Sequence, residues 1–438
     1  MRASNVAIIG AAFCALAACC RASADDTEPW SLHAQSTFIE QYHPALKSAF
    51  RGPNSLDPGS RGNETFDLTV FAGARLWDGG EAYADLEVDQ GFGLSNTLGV
   101  AGFPSGEAYK VGKASPYLRL QRLFFRQTID LGGPSEEIAG DANQLAGRRS
   151  ANNLTLTIGK FSVTDLFDAN ALAHDPKKDF LNWAVIDSGA FDYAADAWGY
   201  SYGAAAEWTW AWWTLRAGLL DLSRVPNTTK LVRGFGQYEL VEEFESRQQL
   251  FGRSGVLKLL AFANRGRMGS YSDALALAAE THALPDTALV RRPAWRAGVA
   301  LNLEQDLSDD ISAFIRLSAN DGSEEAFEFT EINRSAALGV SWKGASWQRP
   351  DDTVALAFVI NDLSHSARAY FAAGGLGILI GDGALVHYDN EKIIETYYNA
   401  EITDWLTAGA DYQLILDPAY NADRGPVSVL GARLHAQM

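Results

Sequence analysis

Several things are scarce in this chain of 438 residues, and each scarcity excludes something. Its three cysteines, Cys14, Cys19 and Cys20, all lie at the very start. The remainder has no thiol for a disulfide, a zinc–cysteine site or a nucleophile. Proline is rare, 14 residues against 40 glycines, a balance that favours strands. Past the first two dozen residues no apolar run reaches the about 18 residues that a membrane-crossing helix needs. Positive charge is short as well: 36 Lys and Arg face 54 Asp and Glu, a net −18. Such a chain repels nucleic acid and attracts cations. No GxSxG, HExxH or Gly-Lys-Ser/Thr loop is found, so no enzymatic constellation stands out and no cofactor is implied.

What is present begins with a leader. MRASNVAIIGAAFCALAACCRASADD carries an early Arg2, an apolar run from Val6 to Ala18, and Ala22-Ser23-Ala24 before two aspartates. It reads as an export signal over residues 1–24. The mature part, 25–438, then has a charge of −20, because Arg2 and Arg21 leave. Leu16-Ala17-Ala18-Cys19 also fits a lipoprotein box, which keeps a second class open: a secreted lipoprotein binding module anchored through Cys19.

From there on the pattern has period two. In EAYADLEVD (81–89), Ala82, Ala84, Leu86 and Val88 share one face, and Glu81, Tyr83, Asp85, Glu87 and Asp89 the other. Sixteen such runs follow one another: 31–40, 64–76, 81–90, 116–131, 152–163, 198–210, 212–222, 236–247, 254–265, 294–304, 310–319, 329–343, 351–362, 391–402, 405–416 and 427–438. The connections between them alternate long and short, with 132–151 the single exception. A membrane barrel alternates in this way, because its periplasmic turns are short and its outer loops long. The expected fold is all-β: a transmembrane antiparallel β-barrel of 16 strands in the outer membrane of a Gram-negative cell. Trp198, Tyr200, Tyr202, Ala204, Ala206 and Trp208 are expected to form a lipid-facing stripe with an aromatic at each end. In PYLRLQRLFFRQTIDL (116–131) the apolar parity slips. A bulge near Gln121–Arg122 would turn Arg119, Arg122 and Arg126 all into the lumen.

Three stretches resemble a known family: DFLNWAVIDSGAFDYAADAWGYSYGAAAEW (179–208), RPDDTVALAF (349–358) and EKIIETYYNAEITDWLTAGADYQLILDPAY (391–420). They are similar to the carbohydrate-selective porins of the OprB family. The resemblance implies a sixteen-stranded outer-membrane channel for passive diffusion of small hydrophilic solutes, sugars above all. Residues 40–67 and 87–113 look more like an alphaproteobacterial branch that includes manganese-selective porins, so a Mn²⁺-selective channel of the same fold is the alternative. One departure is the end of the chain. Barrels of this kind usually close on Phe or Trp, and this one closes on LGARLHAQM.

General porins fold one long loop into the pore. Here that loop is 164–197, with Asp165, Asp168, His174, Asp175, Asp187, Asp192 and Asp196. Carboxylate and imidazole suit a divalent ion such as Mn²⁺. Asp165, Asp168, His174 and Asp175 are therefore candidates for a weak transit site. The bland reading is that loop aspartates cap turns. By parity, Glu81, Tyr83, Asp85, Glu87, Arg119, Arg122, Arg126, Arg216, Arg296, Arg316, Glu395, Glu401 and Asp411 line the pore. The expected partners are sugars or divalent cations in transit, outer-membrane lipids and, as an expectation of the class alone, a homotrimer.

Overall fold

The computed structural model describes residues 27–250 and 252–438. The leader 1–24 and the box at Cys19 lie outside the described residues. The chain runs β1 (Trp30–His43), β2 (Arg61–Trp77), β3 (Gly80–Gly91), β4 (Lys113–Asp130), β5 (Ser135–Ile138), β6 (Gly147–Ser150), β7 (Asn153–Phe161), β8 (Ser201–Trp210) and β9 (Trp213–Asp221). It continues with β10 (Tyr238–Leu250), β11 (Arg253–Met268), β12 (Arg292–Asp306), β13 (Ile311–Asn320), β14 (Arg334–Gly344), β15 (Arg349–Asp362), β16 (Glu391–Thr403), β17 (Leu406–Leu416) and β18 (Val427–Gln437). All except β5 and β6 form one closed antiparallel barrel of sixteen strands, in which β4 pairs with β7 and β1 with β18. Closure matters physically. A wall that meets lipid has no water for a free edge, so every ladder must find a partner. The seam is completed by Met438, which exchanges backbone hydrogen bonds with Ala34 at 2.9 and 3.0 Å.

Burial is inverted relative to a soluble protein. Leu118, Val299 and Leu338 on the outer wall are 66, 57 and 54% exposed, whereas Arg296, Arg316 and Glu395 inside are at most 1% exposed. Only a lipid surround makes that arrangement favourable, since a bare wall of this kind in water would aggregate. At the short-turn end Trp30, Trp77, Trp210, Trp212, Trp342 and Trp405 are all exposed, forming an interfacial belt. At the opposite end Tyr238 and Trp295 meet edge to face, and Arg265 lies over Trp295. Outside that end, helices α1 (Tyr271–Thr281) and α2 (His365–Ala372) are capped by Ser270 and Ser364. They pack through Tyr271, Tyr370 and Phe371.

Two details depart from the expected strands. The alternation of 329–343 begins as a strand only at Arg334, and Trp198 and Tyr200 precede β8 rather than belonging to its lipid stripe. Tyr200 is buried, and the Trp198 indole donates to the Tyr117 hydroxyl at 3.1 Å. The period simply runs on into the incoming loop. The slip in β4 is a bulge at Gln121: Asp85 pairs with Arg122 and Leu86 with Leu120, which keeps Leu118, Leu120, Leu123 and Phe125 outside.

One outward residue contradicts its surroundings. Glu242 sits midway along the membrane span of β10, opposite Ala217 and Ala261, among Leu215, Leu240, Phe244, Leu259 and Val299. No cation or hydrogen-bond donor meets its carboxylate among the described residues. A carboxylate facing lipid at mid-depth costs about 1–2 kcal/mol, somewhat less than a cation does there. Glu242→Leu should therefore stabilise the barrel by about that amount, read as a higher urea midpoint in lipid vesicles. A lower midpoint would mean that Glu242 has a partner in the membrane.

Candidate functional site: a half-filled lumen

The loop after β7 turns inward and fills one side of the barrel. It starts with a tight turn at Val163–Asp165, where the Asp165 carboxylate accepts from the Ser162 backbone at 2.9 Å. Further on, a single helical turn, Trp183–Ile186, is capped by the Asn182 side chain, which accepts from Ala184 at 3.1 Å. A loop has no ladder of its own, so its buried carbonyls and amides must be satisfied by other groups. Inward side chains of β10–β18 do this. Arg316 donates to the carbonyls of Ala173 at 2.7 Å and Asp168 at 2.8 Å, and to that of Val185. Glu243 accepts from Asp168 N at 2.7 Å, and Glu239 from Ala194 N at 3.1 Å. Glu395 takes Leu181 N at 2.6 Å and Asn182 N, while Arg433 reaches Pro176 O and Asp179 O at 2.6 and 2.8 Å. Arg296 forms a buried ion pair with Asp192 at 2.8 Å. The loop between β3 and β4 also turns in. Phe103 stacks on Trp183 at 5.0 Å, Gln413 donates to Pro104 O at 2.8 Å, and Glu391 accepts from Ala101 N and Gly102 N at 2.9 and 2.7 Å.

The other side of the lumen stays open as a cavity of about 710 Å³. Glu87, Arg122, Phe124, Arg126, Thr155 and Glu207 line it from the wall. Asp165, His174, Asp175, Lys177, Trp183, Asp187, Trp198 and Tyr200 line it from the inward loop, and Phe103 and Glu107 from the loop before β4. The acids of EAYADLEVD face the arginines of the next strand: Glu81 is opposite Arg126, Asp85 opposite Arg122, and Glu87 opposite Arg119. Tyr83 donates to Glu81 at 2.7 Å. Arg122 grips Asp165 through two bonds of 2.7 and 2.6 Å and reaches Asp85 at 3.4 Å. Arg119 binds Asp196 at 3.2 Å and stacks 3.3 Å from the Trp198 ring. Lys177 pairs with Glu107 and with Asp67, and Arg75 with Glu81 at 3.2 Å.

The structure thus divides the residues that sequence parity grouped together. Glu87, Arg122 and Arg126 border the open side. Arg296, Arg316 and Glu395 are corrections to the pore-lining set, since they point inward but end in the backbone of the filling loop. Asp411, 8% exposed, accepts from Gln413 at 3.2 Å. Arg216 is taken up by Glu207, Glu243 and Glu245 at 2.8–2.9 Å. Glu401 lies at the turn end of β16, its amide on Asp352 at 3.0 Å. In the loop, Asp168 accepts from Ser188 N and Oγ at 2.6 and 2.8 Å. His174 lies 3.8 Å from Asp187, and Asp175 accepts from Lys177 N at 2.9 Å. Asp165, Asp168 and Asp175 are therefore separately engaged, His174 Nδ1 has no hydrogen-bond partner, and among the described residues no three His, Asp or Glu side chains gather as metal ligands. Parity missed Phe103, Glu107 and the tip of 132–151, because those segments are loops and carry no period. Their lengths were the one available signal.

Closed sixteen-stranded wall, inward loop and polar passage together define a porin-type channel of an outer membrane. The chain belongs to the carbohydrate-selective porin family, OprB, whose family model matches residues 54–438. Its fold is similar to the high-pH structure of Pseudomonas putida OprB, with a TM-score of 0.71 at 14% identity over 94% of each chain. It is also similar to the outer membrane channel DcaP of Acinetobacter baumannii, with a TM-score of 0.52 at 11% identity over 93% of this chain and 97% of that one. No curated protein matches the sequence.

Two outcomes test the site. Arg316→Met removes the donor to three buried carbonyls, a loss of about 3–5 kcal/mol in loop docking. Protease should then cut within 164–197 while the barrel keeps its heat-modifiable migration on gels. The second concerns pH. Burial and the neighbouring Asp168 push the Asp187 carboxyl up to about 7, against the pull of Arg316. An acid raised in the folded state supports the loop fully below its ordinary range near 4 and loses that support as pH rises through about 7. Current noise through single channels should be greater at pH 8 than at pH 5, and Asp187→Asn should make the two alike.

Proposed function

We propose that the chain conducts small uncharged hydrophilic solutes, sugars foremost, by diffusion along the open side of its lumen. One observation carries this reading: cations are interspersed with the carboxylates along the passage, where Arg122, Arg126, Arg149, Lys177 and Lys178 stand among Glu87, Glu107, Asp141, Asp165, Asp175, Asp187 and Glu207. Arg122 serves Asp85 and Asp165, Lys177 serves Asp67 and Glu107, Arg119 serves Asp196, and Arg216 serves Glu207. The overall charge of −18 is therefore not focused on the passage. Paired donors and acceptors suit hydroxyl groups, which both give and take hydrogen bonds. The rings of Phe103, Trp183 and Trp198 offer apolar faces to a sugar's C–H side. The volume of about 710 Å³ lies within the range of small-molecule sites.

The manganese alternative of the sequence reading draws on the same loop, but Asp165, Asp168 and Asp175 are hydrogen-bonded to other groups, and among the described residues no three such side chains converge. Loose transit sites need free carboxylates, and the exposed wall of this passage offers few. Residues 25–438 are taken as the mature porin, placed in the outer membrane with lipid around its apolar wall. A trimer remains an expectation of the class.

Single-channel recording decides between the solutes. Millimolar glucose should interrupt the current in discrete blocks, and Mn²⁺ at equal concentration should not. Trp198→Ala together with Arg122→Gln should shorten those blocks about tenfold, the loss of one stacking and one hydrogen-bonding contact. Block by Mn²⁺ and none by glucose would reverse the assignment.

A further inference from the structure

The connection 132–151 is long on the side where the other connections are turns. It is a hairpin, with Ser135 opposite Ser150 and Ile138 opposite Gly147. Its tip does not hang in the periplasm. Asp141 and Gln144 exchange backbone hydrogen bonds at 2.9 and 3.0 Å and close the tip, and Asn143 takes a left-handed conformation, φ +57°. The tip then enters the barrel from below. Asn143 Nδ2 donates to Asp85 at 2.8 Å, and Arg126 donates to Asn143 O at 2.9 Å. Leu145, 3% exposed, gives its amide to the Tyr83 hydroxyl at 3.2 Å. Ala146 is held on both sides: its carbonyl accepts from Arg75 at 3.1 Å and from Glu28 N at 3.0 Å, and its amide donates to the Glu28 carboxylate at 2.9 Å.

Asp85 lies five residues into β3, about 16 Å of strand or roughly 12 Å of depth at the usual tilt. The tip therefore reaches well inside the wall rather than resting on its rim. Asp141, Ala142, Asn143 and Gln144 border the same cavity as Arg122 and Asp165. Asn143 thus borders the cavity while its amide is anchored on the buried Asp85. A polar side chain held at a narrow part of a passage is placed to filter what goes through.

We infer that residues 139–146 form a second constriction, in series with the inward loop 164–197, and that Asn143 is a selectivity-determining residue at the inner mouth. The two constrictions share a wall element. Asp165 of the outer loop holds Arg122, Arg122 reaches Asp85, and Asp85 holds Asn143. A solute leaving the outer constriction meets the hairpin tip before it reaches the periplasm. The inference rests on the channel reading above.

Two variants test it. The first replaces residues 134–150 by Asn-Gly. Narrow segments in series add their resistances, so removing one should raise single-channel conductance about twofold. It should also admit larger sugars in liposome swelling. The second needs no deletion. Asn143→Cys introduces the one thiol after residue 20. Labelling it with a sulfonatoethyl methanethiosulfonate should cut the current by about half and shift the reversal potential towards cations, while the trimethylammonium reagent should shift it towards anions. Complete labelling of the Asn143→Cys variant, established by mass, with current and reversal potential both unchanged would overturn the inference even if the deletion does not fold. A wild-type protein that conducts nothing would instead refute the channel reading itself.

Discussion

The passage exists because one guanidinium is satisfied by backbone. Arg316 is 1% exposed and donates to three carbonyls of the inward loop, spaced from Asp168 to Val185. A planar fork of donors can bind several carbonyls at once, which a point-charge ammonium does less well. Buried in a lumen without those carbonyls, the same group would cost several kcal/mol. With them, it fixes the loop against β13 and leaves the opposite wall free. Glu239, Glu243, Glu395 and Arg433 repeat the logic around the ring, each matching its charge to a backbone amide or carbonyl. The barrel is thus a cylinder with a polar interior, half of which is used to hold its own plug.

That division explains why an acidic chain can still present a balanced passage. The carboxylates of β3 face the arginines of β4 at adjacent register positions, and each is held along the wall: Asp85 by Arg122, Glu81 by Arg75 and Glu87 by Thr69 and Gln121. What a solute meets is a surface of alternating donors and acceptors with aromatic rings between them. Lys177 carries the same balance into the loop. Burial works to lower its pKa, but Asp67, Glu107 and Glu87 hold it well above the ordinary lysine range, so it remains a cation.

The barrel was legible because period two reports the face of every strand residue, and all sixteen expected runs became strands of the wall. Even the bulge was readable, since only an extra residue at Gln121 could keep Leu120 and Leu123 on one side. Parity has a limit, however. It says that Arg296, Arg316 and Glu395 point inward, but not whether water or protein lies opposite them. Those partners are more than a hundred residues away in sequence, on loops without any period. Trp198 shows the same limit from the other side: its alternation matched β8, yet it belongs to the loop that stacks on Arg119.

The strand 81–89 shows what the structure adds to such a pattern. Read alone, its acids look like a cation track. In place, Glu81 is shared between Arg75 and Tyr83, Glu87 accepts from Thr69 at 2.9 Å and Gln121 at 3.0 Å, and Asp85 stands between Arg122 and Asn143. These acids are fixed dipole partners more than free charges, and a fixed partner constrains geometry better than it attracts ions. Asp85 is the sharpest case, because one carboxylate is tied to both the outer loop and the inner hairpin. Any change there must alter both ends of the passage together, whereas a change at Asp165 or Asn143 alters one. The coupling follows from bond connectivity alone, and it makes β3 the element against which both narrowings of the channel are set.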